Sequence, residues 1–216
     1  MGIIELDTNK QIIKIVSHFF LYGNAISEEI RKNMEEEINE MWNEPKALEW
    51  LENKPFLVLF DIRVFLKPAI EPIEIISNRD ARYNYFRIEN FARGNISYVD
   101  GLGCNTGYFL NENLYKNSTT AAHEYGHTLG LPHPDIIDIR GKGVPGIMYP
   151  RGTWVDANYQ YNPEVKAGEV GGTLYPIYRR VKQEDIRQLY LEQKIVQGNR
   201  VLGTFSSIYH EEETPI

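Results

Sequence analysis

The segment from His123 to His133, HEYGHTLGLPH, constrains the fold of this chain most, because it contains three of the five histidines. His123 and His127 are four residues apart, so on a helix their imidazoles lie on one face, one turn apart. Gly130 allows the helix to end in a left-handed turn, from which the chain can bring His133 back to the same face. The spacing therefore predicts a helix, a sharp turn and three converging imidazoles.

Three neutral imidazoles are a ligand set of catalytic zinc, because they leave the fourth tetrahedral position open. Glu124 follows His123 by one residue, about 100° around a helix, so we expect its carboxylate beside the ion rather than on it. There it could act as general base toward a water molecule that zinc activates. The alternative is a structural helix with solvated histidines, but a chance HExxH in a chain of this length is roughly a 1% event.

Hydrophobic periodicity predicts a chain of mixed type, in the order strand, long helix, several strands and histidine helix. Strands are predicted at 10–22, 56–67, 73–77, 84–91 and 95–100, and a glycine-rich loop at 101–107. Ser27 is expected to cap the long helix, and Ser118 or Thr119 the histidine helix. A last helix is predicted over 181–193. The stretch 141–180 is rich in glycine, proline and tyrosine without a period, which is typical of functional or mobile segments.

Charge and hydropathy argue against several classes of protein. The formal net charge of −7 argues against a nucleic-acid partner, because phosphate binding needs clustered lysine and arginine. The N-terminal sequence MGIIELDTNKQIIKIV lacks a basic region followed by a continuous apolar core, so it does not read as a signal peptide. No stretch has the length and apolar character of a membrane span.

The cysteine and histidines outside the segment are assigned simpler roles. The single cysteine, Cys104, excludes an intrachain disulfide. A lone cysteine is usually a small buried residue, which is the expectation here, with a zinc latch or a redox role as the open alternative. His18 is expected to be a core or surface residue rather than a metal ligand, and His210 to be solvated.

A methionine turn follows the histidine segment, with Met148 in the sequence GIMYP. HExxHxxGxxH followed by such a turn resembles the signature of the metzincin clan of zinc peptidases, and the resemblance covers about 118–150. It implies an α+β fold with a mixed twisted sheet and two long helices in an N-terminal sub-domain, 1–133. A small, irregular C-terminal sub-domain, 134–216, would end in a helix.

The resemblance also assigns roles to single residues. The three histidines of the segment would bind one catalytic Zn²⁺, and Glu124 would be the general base. Gly130 would allow the turn after the helix, and Met148 would lie under the zinc as a hydrophobic floor. Structural Ca²⁺ stays an open alternative, since no acidic loop indicates it.

The motifs combine features of more than one metzincin subfamily. AAHEYGHTLGL and IMYP look matrixin-like, whereas Pro134, directly after the third histidine, is similar to serralysins. Astacins and serralysins place a tyrosine ligand two residues after the methionine, where this chain has Pro150, so Tyr149 is not assigned to the metal. Because no histidine lies between His18 and His123, the second, structural zinc site of matrixins is expected to be missing.

The activity that the resemblance implies is zinc-dependent endopeptidase cleavage of proteins or peptides. An extended substrate would pair with an edge strand, here NISYVD at 95–100, and the specificity pocket would include the tyrosine-rich stretch after Met148. That stretch also reads as an ordinary irregular loop. The resemblance favours a secreted protein, although no signal peptide is visible. Two alternatives stay open: a zinc-binding interaction protein that is latent or without hydrolytic activity, and an effector or toxin peptidase with an inhibitor or immunity-type partner.

Overall fold

The structure is a computed structural model, and it describes residues 1–214. Its strands are β1 (Gly2–Asp7), β2 (Ile12–Tyr22), β3 (Leu48–Leu51), β4 (Lys54–Leu66), β5 (Tyr83–Glu89), β6 (Tyr98–Val99), β7 (Thr106–Leu110) and β8 (Val201–Leu202). Its helices are α1 (Glu28–Asn43), α2 (Pro72–Ile76), α3 (Thr120–Thr128), α4 (Gln183–Arg187) and α5 (Leu191–Val196). The α+β class predicted from the sequence is confirmed. No helix within 1–214 is long and apolar enough to cross a bilayer.

All eight strands join one mixed sheet, in the order β3-β4-β2-β5-β7-β6, with β1 beside β2 and β8 beside β1. The long strand β2 organises the sheet. It runs parallel to β4 along one side, while β1 and β5 share its other side, β1 along the first half and β5 along the second. β7 is parallel to β5, and the short β6 is antiparallel to β7 at the end of the order. β6 is therefore an edge strand.

Helix α1 packs its apolar stripe on the sheet. Met34, Ile38 and Trp42 are its buried residues, at the spacing of one helical face. The predicted cap is confirmed, because the Ser27 hydroxyl accepts a hydrogen bond from the Ile30 N–H at 3.1 Å. The long helix of the sequence prediction thus begins and packs as its pattern indicates.

The same helix also covers an open edge of β4. The Asn39 amide bonds both backbone groups of Ile62, at 2.9 and 3.0 Å. One turn later, Asn43 bonds both backbone groups of Phe60, each at 2.9 Å. Side-chain amides thus satisfy strand groups that no neighbouring strand reaches, which protects this edge from pairing with another chain.

Several predicted elements differ in the structure. The stretch 73–77 was predicted as a strand, but it belongs to α2, because Pro72 suits a first helical position and the Glu71 N–H donates to the Glu74 carboxylate at 3.1 Å. β1, β3 and β7 were not predicted. Gly107 lies inside β7 rather than in a loop, where a Cβ would come within 2.4 Å of the Phe86 ring.

The chain from 134 to 182 is irregular, as its composition indicates. Single β-bridges hold it, and Ile139, Val155 and Leu174 form a small core of its own. The helix predicted over 181–193 is wrong: α4 and α5 are separate, because Tyr190 between them has a left-handed φ of 51°. The C-terminal part was also expected to end in a helix, but β8 follows α5 and pairs with β1. The sub-domain boundary at 133 stays a prediction.

Candidate metal centre

The histidine helix α3 is nine residues long and almost wholly buried, shorter than the long helix that was expected. Two polar contacts position it against α1 and the sheet. The Trp42 indole N–H donates to the Ala122 carbonyl at 3.0 Å, and the Tyr125 hydroxyl contacts the Ser17 hydroxyl of β2 at 2.9 Å. Packing and directed hydrogen bonds together therefore determine which face of the helix the histidines occupy.

A carboxylate from α1 caps the first turn of α3. Glu37 accepts hydrogen bonds from the backbone N–H of Thr119 at 3.1 Å and of Ala122 at 3.2 Å. Thr119, one of the predicted caps, has a left-handed φ of 59° and makes no capping bond with its side chain. The other, Ser118, accepts only from the Thr120 N–H, at 3.2 Å. Burial raises the pKa of Glu37 to about 7, against the lowering effect of these N–H groups.

The end of α3 is a Schellman turn around Gly130. Gly130 has a φ of 98°, the Leu131 N–H donates to the Gly126 carbonyl at 3.0 Å, and the Gly130 N–H to the His127 carbonyl at 3.0 Å. The His127 carbonyl also accepts from the Gly103 N–H at 2.8 Å. The glycine required by the spacing argument therefore lies at the predicted position, and the turn directs the chain toward His133.

The three histidines converge on one point. The Nε2 atom of His133 lies 3.1 Å from that of His123 and 3.0 Å from that of His127. Within 1–214, these three form the group of side chains whose potential ligand atoms all lie within 4.8 Å of one another. Zn–N bonds of about 2.0–2.1 Å place the nitrogens of a tetrahedral site about 3.3 Å apart, close to these distances.

The outer nitrogens of two histidines show which tautomer each ring holds. The Nδ1 of His123 is 2.7 Å from the Ile147 carbonyl, and the Nδ1 of His127 is 2.8 Å from the Leu131 carbonyl. A carbonyl only accepts, so each Nδ1 carries the proton and each Nε2 presents a lone pair. Burial lowers the pKa of both rings, that of His127 to about 4. With both Nε2 lone pairs directed at the point where His133 converges, this donor set fits a zinc ion.

Glu124 lies beside this cluster and is not a member of it. Its side chain is 7% exposed, on the side of α3 that faces β6. Burial raises the pKa of Glu124 to about 8, and Arg179, Arg151 and the Val99 backbone act in the opposite direction. A cation held by the histidines would favour the ionised carboxylate further. Glu124 is thus outside the set of converging ligand atoms, and its role as general base stays a prediction.

Met148 packs directly against the middle of α3. A Cβ built on Gly126 would lie 2.3 Å from the Met148 sulfur and 3.3 Å from the Trp42 ring. Gly126 lies between the two helical histidines, so its missing side chain is the space that Met148 fills. The preceding residue, Ile147, provides the carbonyl that holds His123. The methionine turn thus reaches the histidine cluster through both side chain and backbone.

Two arginines near the cluster were not singled out in the sequence. Arg179 is 3% exposed, and its positive charge acts on Glu124 and on all three histidines. Arg151 is exposed and donates to the Asn113 side-chain oxygen at 3.0 Å. Both lie in the irregular stretch, where no periodicity marks a buried position. No sequence signal distinguishes Arg179 from its exposed neighbour Arg180.

The other predicted residues lie apart from the cluster. Cys104 is half-buried and forms a backbone bridge with Thr204, and it is not among the converging ligand atoms. His18 lies on β2, where its ring contacts Phe65, as a core or surface residue would. His210 was expected to be solvated, but its side chain is only 14% exposed and its Nε2 lies 2.9 Å from an Asp100 carboxylate oxygen.

A cavity of the described chain lies away from the metal centre. It has a volume of about 1130 Å³ and lies between α1, the segment 114–121 and the segment 175–180. None of the three histidines lines it. Chemistry and cavity size therefore point to different places, and the convergent donors decide in favour of the histidine cluster, because ligand geometry is specific to metal binding and volume is not.

Comparison with known proteins gives a likeness in structure but no match in sequence. No protein-family model matches the sequence, and no curated protein matches it. Among solved structures, the crystal structure of archaemetzincin from Methanopyrus kandleri overlays with a TM-score of 0.41 and 11% sequence identity, over 83% of this chain and 96% of that chain. Because this overlay is loose, the function is inferred below from the site's own residues.

Proposed function

We propose that this protein is a zinc-dependent endopeptidase. The observation that carries the proposal is the convergence of three imidazole Nε2 atoms, with a buried glutamate beside them. Three nitrogen ligands and one open position are the arrangement of a catalytic rather than a structural zinc site.

Each residue has a distinct task in this proposal. His123, His127 and His133 hold the ion, and the carbonyls of Ile147 and Leu131 orient two of the rings. When bound, zinc polarises the scissile carbonyl and lowers the pKa of a water molecule to about 7. Glu124 takes the water proton and delivers it to the leaving amine.

The substrate would bind along β6, which is the edge strand nearest to α3. An extended peptide pairs with such an edge through backbone hydrogen bonds, which makes binding tolerant of sequence, and side-chain pockets then supply selectivity. Glu124 faces the same strand, so the general base would lie between the substrate backbone and the zinc ion. Met148 supports the helix from the opposite side.

The deciding experiment measures zinc content and cleavage of an unfolded generic protein, for the native chain and for Glu124→Gln. We expect both proteins to bind about one zinc ion. The variant should cleave the substrate at least about a hundredfold more slowly than the native chain. His18→Gln is the matched control, because it alters a histidine outside the cluster, and it should keep zinc and activity. Equal cleavage by Glu124→Gln would refute the assignment of the base. Zinc binding without cleavage of any substrate would favour the non-hydrolytic alternative.

A further inference from the structure

Arg179 carries a buried positive charge. Its side chain is 3% exposed, and its Nε has no hydrogen-bond partner within the described chain. Glu124 and Glu37 act on it through space only, without a hydrogen bond. Burying a guanidinium without pairing it is costly, so such a group is retained where something else completes it.

The backbone that carries Arg179 is held on both sides of the metal centre. The Pro176 carbonyl accepts from the Thr119 hydroxyl at 2.8 Å, at the start of α3. The Arg180 N–H donates to the Pro145 carbonyl at 3.0 Å, three residues before Met148. The arginine is therefore fixed between the histidine helix and the methionine turn, which are the two elements that would border the substrate side chain after the scissile bond.

The charges near Arg179 indicate what it would bind. Arg151, from the segment directly after the methionine turn, acts on Arg179 and on Glu124. Two positive charges thus face this site in a chain whose net charge is −7.

Resting on the peptidase function above, we propose that Arg179, assisted by Arg151, binds a carboxylate side chain of the substrate next to the scissile bond. The preferred substrates are then peptides with aspartate or glutamate at that position. The planar fork of a guanidinium matches a carboxylate with two parallel hydrogen bonds, which the two terminal nitrogens can supply, since only Nε is enclosed by the protein. A single oxyanion, already held at the zinc ion, would need neither this fork nor a second arginine.

The first test uses the zinc-loaded native protein and a peptide library whose cleavage sites are mapped by mass spectrometry. Aspartate and glutamate should be enriched at one position adjoining the cleaved bond. A synthetic peptide with glutamate there should have a kcat/KM at least tenfold above that of its glutamine counterpart. Cleavage without any acidic preference would overturn the inference and leave the peptidase function intact.

Variants then assign the preference to Arg179. Arg179→Gln should reduce the glutamate-to-glutamine ratio to near one, mainly through KM for the glutamate peptide. Arg180→Gln removes the same charge from the exposed neighbour and should keep the ratio. An equal loss for both peptides in Arg179→Gln would contradict carboxylate recognition. Zinc content and Tm are measured for each variant. If Arg179→Gln does not fold, Arg179→Lys replaces it; this variant keeps the charge and should retain part of the preference.

A binding measurement separates this inference from the peptidase function. Fluorescence anisotropy of labelled glutamate and glutamine peptides on zinc-loaded Glu124→Gln requires no turnover. We expect the glutamate peptide to bind at least tenfold more tightly, and adding Arg179→Gln to abolish the difference. If no peptide is cleaved by the native chain but this difference is present, the peptidase function fails and the carboxylate site stands. Equal binding of both peptides refutes the site.

Discussion

The regular part of the chain, up to His133, and the irregular part, from 134 to 182, contribute different things to the metal centre. The regular part places His123 and His127 on a helix between α1 and the sheet. The irregular part orients His123, through the Ile147 carbonyl, and adds positive charge near Glu124, whereas His127 is oriented from within the regular part by the Leu131 carbonyl. The difference shows that the regular part locates two ligands and sets the tautomer of one, and that the irregular part sets the tautomer of the other and contributes charge.

Both parts contain polar groups that are paired and polar groups that are not. In the regular part, side chains of α1 satisfy both the edge of β4 and the first turn of α3, but Glu49 of β3 retains a buried carboxylate oxygen without a partner in the described chain. In the irregular part, Gln160 and Arg179 each retain such an atom. Unpaired buried groups reduce stability, and Arg179 is the one whose charge acts on Glu124.

The largest effect is expected when His133, the ligand at the junction of the two parts, is removed. His133→Ala should lower zinc affinity by at least about a hundredfold, because the ion would keep two protein ligands instead of three. The fold should persist, since His133 is exposed and outside the core. Zinc affinity is measured by competition with a chromophoric chelator, and His18→Ala is the control. Unchanged affinity in His133→Ala would show that the three imidazoles do not bind the ion together.

The pH dependence of stability tests the cap that α1 provides. Burial raises the folded-state pKa of Glu37 from 4.5 to about 7. A raised pKa means that its stabilising contribution is complete below about pH 4.5 and is lost as the pH rises through 7. The loss is on the order of 3 kcal/mol in the free energy of unfolding. Glu37→Gln cannot ionise, so the variant does not show this loss. Between pH 5 and 8.5, the free energy of unfolding of the native chain should therefore fall relative to that of the variant. Parallel denaturation curves at all pH values would contradict the shift.

Contact between the two parts is tested at Gly126. Gly126→Ala places a Cβ where the Met148 sulfur lies, so either the helix or the methionine turn must move. This should lower the free energy of unfolding by about 1–3 kcal/mol. Zinc affinity should fall as well, because Ile147 moves with its neighbour. Gly152→Ala is the matched control, since nothing lies within 4 Å of a Cβ there. Chemical denaturation that gives equal midpoints for both variants would mean that the Met148 contact does not constrain the helix.

The smallest effect is expected from a change confined to the regular part. Ser27→Ala removes the hydrogen bond that caps α1 and should lower stability by about 1 kcal/mol. Zinc affinity and cleavage should not change, because α1 keeps its packing on the sheet. Ser27→Asp, which can also cap, should restore stability. A loss of zinc in Ser27→Ala would indicate that the two parts are coupled more tightly than their contacts suggest.

Features coded by neighbours in sequence were predictable, and features that depend on distant contacts were not. The helical spacing of His123 and His127 and the left-handed turn at Gly130 follow from local geometry. The Glu37 cap could not be foreseen, because it joins residues 82 positions apart. The helix predicted over 181–193 failed at Tyr190, whose left-handed backbone no composition rule requires.

Arg179 illustrates the same limit at the candidate site. Its burial results from the packing of an aperiodic segment, so neither its exposure nor its distance from the histidines can be derived from sequence order. Ile147 was equally invisible as a ligand-orienting residue, since it contributes only its carbonyl and any residue has one. The roles of these residues depend on tertiary structure, whereas those of the histidines are evident from their spacing.

The return of β8 to β1 determines when the centre can mature during synthesis. β8 pairs Val201 and Leu202 with Ile3 and Gly2, across almost the whole chain. Two residues after β8, the Thr204 N–H donates to the Gly103 carbonyl at 2.8 Å, in the loop that contacts the end of the histidine helix. Pairings of such long range form late, because closing large loops is slow. A nascent chain would therefore carry its histidines outside the ribosome well before residues 201–204 emerge to support them.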